Sequence, residues 1–125
     1  MSKSILIVDD SATLRASVNF VLTDAGYRVL QAKNGEEGIE VLNDAKVSGT
    51  KIDMIISDIN MPVMDGISFI KEVKKGEFRF VPILILTTES ENAKKMEGKA
   101  AGASGWLVKP FKPDQLIWVV KKFVR

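Results

Sequence analysis

Short apolar runs rich in β-branched residues alternate with stretches of helical periodicity along the whole chain. Each run has the length and composition of a buried strand, and each is followed by a segment whose apolar residues recur every three or four positions. The predicted strands are 4–8, 27–32, 53–57, 82–86 and 105–109. Strands of this kind, alternating with helices, are typical of a parallel sheet covered by helices on both faces. The pattern therefore predicts an α/β fold of five βα units.

Local signals mark the predicted helix boundaries. Gly26 is expected to stop the first helix, and Asp65 is expected to cap the N-terminus of the third. Gly38 lies inside the second helical segment and predicts a weaker helix there, because glycine is a poor helix former. Pro113 is expected to open the last helix.

Length and charge restrict the class of protein. The 125 residues contain no linker or repeat, so a single domain over residues 1–125 is expected. Eighteen basic and sixteen acidic side chains leave a net charge of +2, too small to indicate nucleic-acid binding. No apolar run approaches the length of a membrane span, and the N-terminus lacks the layout of a signal peptide. We expect a cytoplasmic protein without membrane insertion.

The absence of two residue types excludes several chemistries. Without cysteine the chain has no disulfide, no thiolate zinc site and no cysteine nucleophile. Without histidine it has no Ser-His-Asp triad, and it cannot carry phosphohistidine. Any chemistry must therefore depend on carboxylates, lysine, serine and threonine.

Polar residues follow four of the five predicted strands. The first strand is followed by Asp9 and Asp10, the third by Asp58, the fourth by Thr87, and the fifth ends at Lys109. Ligands of open parallel sheets bind at the carboxyl ends of the strands. If the strand order is 2-1-3-4-5, all of these side chains share one edge. Clustered carboxylates need a compensating charge, and a hard cation that prefers oxygen ligands provides it, so we predict a Mg²⁺ site.

A carboxylate beside Mg²⁺ can attack a phosphoryl donor, while Thr87 and Lys109 contact the phosphoryl oxygens. Each residue also has a structural interpretation. Asp10 can cap the first helix, Thr87 and Thr88 can be strand-end or capping residues, and Lys109 can be a solvated cation. These interpretations do not explain why three acids and a lysine end strands on the same side. The joint pattern favours a phosphoryl-transfer site.

The chain resembles a response-regulator receiver domain over its whole length. The motifs that carry the resemblance are VDDS at 8–11, SDINMPVMDG at 57–66, LTTE at 86–89 and GASGWLVKPF at 102–111. The resemblance implies a doubly wound, flavodoxin-like sheet of five parallel strands in the order 2-1-3-4-5, with five helices.

The same resemblance implies roles for individual residues. Asp58 would accept a phosphoryl group from a sensor histidine kinase, Thr87 would be the switch hydroxyl, and Lys109 would pair with the phosphoryl group. The Lys109–Pro110 bond is expected to be cis. The implied Mg²⁺ ligands are Asp10, Asp58 and the backbone carbonyl of Asn60, with Asp9 acting through water.

Three further positions bear on the conformational switch and on the lifetime of the phosphoryl group. Trp106 stands where receivers of the chemotaxis type commonly have a switch tyrosine; Trp has no phenolic hydroxyl, so it is either a switch residue or an aromatic packed at the sheet edge. Asn60 and Glu89 lie two residues after Asp58 and Thr87, beside the expected path of hydrolytic water. This pair resembles that of chemotaxis-type receivers, which lose phosphate quickly; otherwise both are exposed loop residues.

A receiver is a signalling switch rather than an enzyme, and its output depends on the face formed by the fourth helix, fifth strand and fifth helix. The start at Met1 favours a stand-alone regulator, such as one that binds a flagellar motor component. A phosphorelay intermediate is the alternative. On the last helix, Trp118 and Val119 are expected to face outward, which favours a hydrophobic partner or a homodimer, unless Trp118 folds over the sheet edge.

A different class is a small phosphohydrolase with an aspartate nucleophile on the first strand. Such an enzyme needs two acids separated by one residue, whereas here the acids are adjacent and Ser11 occupies the second position. A nucleotide-binding module is less consistent still, because no glycine-rich phosphate loop follows the first strand.

Overall fold

The computed structural model describes residues 2–88 and 92–125. These residues form a five-stranded parallel sheet in the order β2-β1-β3-β4-β5. The strands are β1 Ser4–Val8, β2 Arg28–Ala32, β3 Met54–Asp58, β4 Ile83–Thr87 and β5 Gly105–Val108. The helices are α1 Ala12–Asp24, α2 Gly35–Ser48, α3 Gly66–Lys74, α4 Asn92–Ala101 and α5 Pro113–Phe123. The predicted α/β fold and its strand order are confirmed.

The strand boundaries differ from the predicted ones by a residue at most. β4 begins at Ile83 because Pro82 has no N–H to donate to the sheet, although its carbonyl accepts from the N–H of Ile55. β3 and β4 each extend one residue further than predicted, because Asp58 pairs with Leu86 and Thr87 pairs with Val108. Both polar residues are therefore the last residues of their strands.

Alternation along the central strands divides the core into two halves. Every residue of β1, β3 and β4 is buried, whereas the outer strands β2 and β5 are partly exposed. In β1, Leu6 and Val8 point into the core that contains buried residues of α2 and α3. Ile5 and Ile7 point into the other core, which contains those of α1 and α5. The sheet is thus covered on both faces, and polar groups are confined mainly to the strand ends.

Helix α2 is continuous through Gly38. The helix has 14 residues, and Gly38 is buried within it. A Cβ at this position would lie 2.8 Å from the ring of Phe69, so the glycine allows α2 to approach α3 closely rather than interrupting the helix. Glycine thus serves close packing at this position, and the weakness of the helix expected from its low intrinsic propensity stays a prediction. Across the described ranges, no helix combines the length and apolar character needed to span a membrane.

The helix caps settle the structural alternative for Asp10. The side chain of Ser11 caps α1 by accepting from the N–H of Leu14, so Asp10 is not the cap and is exposed. The predicted cap at Asp65 is confirmed, since its carboxylate accepts from the N–H of Ser68 at 2.8 Å. Pro113 is the first residue of α5, as predicted.

The last helix shows one expected and one unexpected orientation. Trp118 is 67% exposed, which confirms that it faces outward rather than folding over the sheet edge. Val119 was expected to face outward as well, but it is half-buried against the core on the α1 and α5 side. The inward-facing apolar stripe of α5 is therefore wider than expected, because it includes Val119.

Gly66, at the start of α3, determines how closely this helix approaches β3. Its N–H donates to the carbonyl of Ile59 at 2.8 Å. A Cβ at this position would overlap the carbonyl oxygen of Asp58, which is backbone and cannot move aside without displacing the strand end.

We expect Gly66→Ala to destabilise the fold by about 3 kcal/mol, because the added methyl overpacks rigid backbone. Gly76→Ala is the matched control: the nearest atom to its added Cβ is a carbonyl oxygen 4.0 Å away. Urea unfolding of both variants measures the difference. Equal stabilities would contradict the close approach of α3 to β3.

Candidate functional site

Side chains from four strand ends meet at one edge of the sheet. Asp9 and Asp10 follow β1, Asp58 ends β3, Thr87 ends β4, and Lys109 follows β5. Carboxylate oxygens of the three aspartates all lie within 4.8 Å of one another. Asp9 and Asp58 are buried, whereas Asp10 is exposed. The parallel sheet therefore brings together the residues that the sequence singled out.

Lys109 connects the two buried carboxylates. Its Nζ lies 3.2 Å from Oδ2 of Asp9 and 3.3 Å from Oδ1 of Asp58, and its side chain is only 23% exposed. The backbone N–H of Lys109 donates to the carbonyl of Thr87, which fixes the start of the loop after β5 against the end of β4. Lys109 is thus the built-in counter-ion of the acid cluster rather than a solvated cation.

The cluster contains more buried negative charge than positive charge. Burial raises the pKa of the Asp58 carboxyl above its ordinary value of 3.8, and the charge of Asp9 raises it further; Lys109 and the N–H of Ile59 offset this only in part. Burial lowers the pKa of Lys109, but the charges and hydrogen bonds of Asp58 and Asp9 outweigh it, so the net shift is upward from 10.5. Lys109 therefore remains charged at neutral pH, and one cation faces two buried acids.

Backbone and side-chain donors orient Asp9. Its Oδ1 accepts from the N–H of Ser11 at 2.8 Å, while its Oδ2 faces Lys109. The guanidinium of Arg15 donates to the Asp9 carbonyl at 2.6 Å. The sequence did not single out Arg15, because a half-buried arginine on α1 has no local signal that distinguishes it from a surface cation.

Thr87 carries a polar atom that the fold does not satisfy. The residue is fully buried, and its hydroxyl oxygen has no hydrogen-bond partner among the residues that the structure describes. A buried hydroxyl without a protein partner is costly and calls for a further group to satisfy it. Its position at the end of β4, beside the strand that ends at Asp58, leaves it available to a group bound at this edge.

The loop after Asp58 has an unusual backbone. The N–H of Ile59 donates to Oδ1 of Asp58 at 2.8 Å, which holds the carboxylate at the strand end. Val63 has a φ of 71°, a strained conformation for a β-branched residue, and the N–H of Met64 bonds to the carbonyl of Pro62 around it. Strain of this kind persists only where the surrounding structure imposes it. Val63 and Gly66 both lie in the motif at 57–66, but the strained backbone and the close approach at these positions were not expected from the sequence.

The donor set fits a hard divalent cation. Three carboxylates at this spacing supply the oxygen ligands that Mg²⁺ prefers, and Lys109 alone does not neutralise them. Asn60 is exposed at the start of the loop after β3. Glu89, the other residue expected to tune phosphate lifetime, lies outside the described residues.

Two further expectations concern β5 and the loop after it. The Lys109–Pro110 bond is cis, as predicted. Trp106 is 42% exposed, and the ammonium of Lys95 lies 6.0 Å from the centre of its ring. The indole is therefore partly exposed at the surface, next to Lys95 of α4, rather than in the core.

Comparison with known proteins identifies the family. The family model described as "Response regulator receiver domain" matches residues 5–121. The chemotaxis protein CheY of Thermotoga maritima is 37% identical over 123 residues, which is 98% of each chain. Other relatives are longer: the chain spans 15% of the Helicobacter pylori sensor histidine kinase CheAY and 50% of the Bacillus subtilis regulator PhoP.

Solved structures agree with this assignment. Chemotaxis response regulator CheY4 of Vibrio cholerae is 46% identical with a TM-score of 0.86, covering 98% of this chain and 99% of that one. The receiver domain of sensor histidine kinase PA1611 from Pseudomonas aeruginosa, determined with a magnesium ion in its active-site cleft, is 29% identical with a TM-score of 0.85. This match covers 99% of the present chain and 98% of the PA1611 receiver domain. Fold, family model and relatives agree that this chain belongs to the response regulator receiver domains, the phosphorylation-activated switches of two-component signalling.

Proposed function

We propose that Asp58 is the phosphoryl acceptor of this receiver and that a sensor histidine kinase is its donor. The observation that carries the proposal is the contact of Lys109 with both Asp9 and Asp58 at the edge where the unpartnered Thr87 hydroxyl lies. Of the three acids, Asp58 is the one held by its own strand end, by the N–H of Ile59 and by Lys109. The N–H of Ile59 and the Nζ of Lys109 both contact the same carboxylate oxygen of Asp58, Oδ1.

In the proposed reaction, a carboxylate oxygen of Asp58 forms a bond to the phosphorus of the donor. The bond between phosphorus and the donor breaks, and the leaving group keeps the electron pair. Lys109 exchanges part of its contact with Asp58 for a phosphoryl oxygen, and the Thr87 hydroxyl donates to another. Later attack of water on phosphorus restores the carboxylate and releases inorganic phosphate. We assign to Asn60 and Glu89 an influence on that water.

Four residues at this edge would hold Mg²⁺. Asp10 and Asp58 would bind it through their carboxylates, Asn60 through its backbone carbonyl, and Asp9 through water. When bound, the ion supplies positive charge that offsets the carboxylates and the incoming phosphoryl oxygens. The chain itself contributes the fixed positions of Asp9 and Asp58 through the Ser11 and Ile59 N–H donors. This prearrangement lowers the reorganisation needed when the donor arrives.

The output is proposed to depend on the face formed by α4, β5 and α5. Trp106 and Trp118 are exposed on this face, and Lys95 and Lys122 lie over their rings. Phosphorylation would draw the Thr87 hydroxyl toward the phosphoryl group and leave space behind it for the Trp106 indole. Among the relatives that match this chain along almost their whole length are the chemotaxis proteins of Thermotoga maritima and Vibrio cholerae. A chemotaxis role, with a flagellar motor component as partner, is therefore the output we favour; a homodimer through Trp118 is an alternative use of this face.

Intact-mass measurement after brief exposure to Mg²⁺ and acetyl phosphate tests the acceptor. The wild-type protein is expected to gain one phosphoryl group, and Asp58→Asn to gain none. Asp65→Asn is the matched control, since it alters an acid of the same loop but keeps a good helix cap. Phosphorylation of Asp58→Asn, or continuing acetyl phosphate turnover by this variant, would overturn the assignment and favour a hydrolase.

Stability without metal tests the electrostatics of Asp58. Because its folded pKa is raised, the folded state binds this proton more tightly, and stability falls as pH rises from 3.8 to the folded pKa. Asp58→Asn removes that loss, so in EDTA at pH 7 the variant is expected to unfold at higher urea than wild type. Saturating Mg²⁺ is expected to stabilise wild type by about 2.7 kcal/mol at one hundred times Kd, and the variant by less.

The exposed Asp44→Asn is the control for that experiment, and it is expected to match wild type with and without Mg²⁺. A metal-free Asp58→Asn variant less stable than wild type at pH 7 would show that the Lys109 contact outweighs the cost of burying this carboxylate.

Tryptophan emission tests the switch. In a Trp118→Phe background, Mg²⁺ and beryllofluoride are expected to change the emission of Trp106. Thr87→Ala is expected to bind beryllofluoride without this change, because the hydroxyl that follows the phosphoryl analogue is gone. Thr88→Ala, altered at the adjacent exposed threonine, is expected to behave as wild type. A full emission change in Thr87→Ala would separate Trp106 from the switch.

A further inference from the structure

A second concave site lies at the opposite edge of the sheet, where the strands begin. It is a cleft of about 670 Å³ formed by residues that precede β1, β3 and β4 and by the end of α5. Its lining includes Lys3, Lys51, Phe80, Pro82, Lys122 and Phe123. None of these residues belongs to the acid cluster, because parallel strands place their two ends on opposite sides of the molecule.

Apolar residues form part of the cleft wall, beside its charged residues. Phe80 is 83% exposed, although it is a large aromatic residue in the short connection before β4. The guanidinium of Arg79 lies 4.7 Å from the centre of its ring. Pro82 and Phe123 are half-buried and complete the apolar lining. An exposed aromatic residue beside a cation is the type of side chain that often anchors a protein partner.

The acids of the cleft are already paired within the fold, whereas some of its cations are not. Asp53 accepts from the N–H of Ser4 at 2.8 Å and lies 3.5 Å from Lys51. Glu77 pairs with Lys46 at 3.5 Å. Within the described part of the chain, Lys3 and Lys122 form no ion pair. The cleft therefore combines apolar residues in its wall with available positive charge.

We propose that this cleft binds an acidic segment of a partner protein. Such a segment places an aromatic or aliphatic side chain between Phe80 and Phe123 and its carboxylates against Lys3 and Lys122. The volume lies in the range of clefts that bind small ligands, which is sufficient for an inserted side chain. A concave site with apolar residues in its lining suits an inserted side chain better than a flat membrane surface or a phosphate backbone.

This proposal goes beyond the proposed function and does not depend on it. The cleft shares no residue with the phosphorylation edge, so Asp58→Asn is expected to bind the segment as wild type does. A failure of phosphorylation and a failure of docking are therefore distinguishable in the same set of proteins.

The probe is a short fluorescein-labelled peptide with a central Phe-Leu pair flanked on each side by three acidic residues. Binding to the full chain is followed by fluorescence anisotropy, and amide NMR shifts locate it. Phe80→Ala is expected to weaken binding about tenfold, because it removes one wall. Phe20→Ala is the matched control, since Phe20 is 73% exposed on α1, away from the cleft.

The charge requirement has its own pair of variants. Lys3→Gln combined with Lys122→Gln is expected to weaken binding about tenfold and to reduce its salt dependence. Lys71→Gln combined with Lys94→Gln removes the same charge elsewhere and is expected to have no effect. Every tested position has an exposed or half-buried side chain, and unchanged NMR spectra of the free variants establish that they fold.

Shifts confined to the cleft, together with selective weakening in the cleft variants, support the proposal. The absence of peptide binding, equal weakening in the control variants, or equal binding of a peptide with lysines in place of the acids overturns it. Binding to phosphatidylglycerol vesicles that depends on Phe80, without binding of the peptide, also overturns it and assigns the cleft to an anionic membrane surface.

Discussion

Burial of the central strands on both faces is the constraint on which this structure depends. β1, β3 and β4 leave no exposed face for polar side chains, so the polar groups of the sheet lie mainly where strands end. Because all strand pairs are parallel, the carboxyl ends meet at a single edge. A functional site at that edge thus follows from the packing of the sheet, while the acidic residues placed there decide its chemistry.

At that edge, the buried negative charges outnumber the buried positive charge. One buried lysine serves two buried carboxylates, an arrangement in which desolvation is compensated only in part. The backbone donors to Asp9 and Asp58 keep both groups in place despite their repulsion. The fold therefore retains a site whose electrostatic demand is met fully only when a further positive charge is present.

Periodicity and strand-end position are local signals, and they predicted the fold class and the polar strand ends. The strand order came from the family resemblance, and with that order the convergence of Asp9, Asp10, Asp58, Thr87 and Lys109 followed. The sequence could not predict features that depend on the approach of distant backbones. The packing roles of Gly38 and Gly66 were therefore not predicted, since their importance lies in the neighbour that a side chain would meet. Arg15 and the backbone of Val63 leave no trace in a single sequence. The half-burial of Val119 depends on the width of the groove that α5 fills.

Lys122 has a position that joins two surfaces of the molecule. Its ammonium lies 5.7 Å from the ring centre of Trp118 and 5.8 Å from that of Phe123, so one cation is shared by an exposed indole and a phenyl group in the cleft. A ligand that recruited this ammonium on one side would withdraw it from the ring on the other. By reciprocity, occupancy of either surface would then change the affinity of the other by the same factor. Helix α5 would in this way link two binding events without any movement of the sheet.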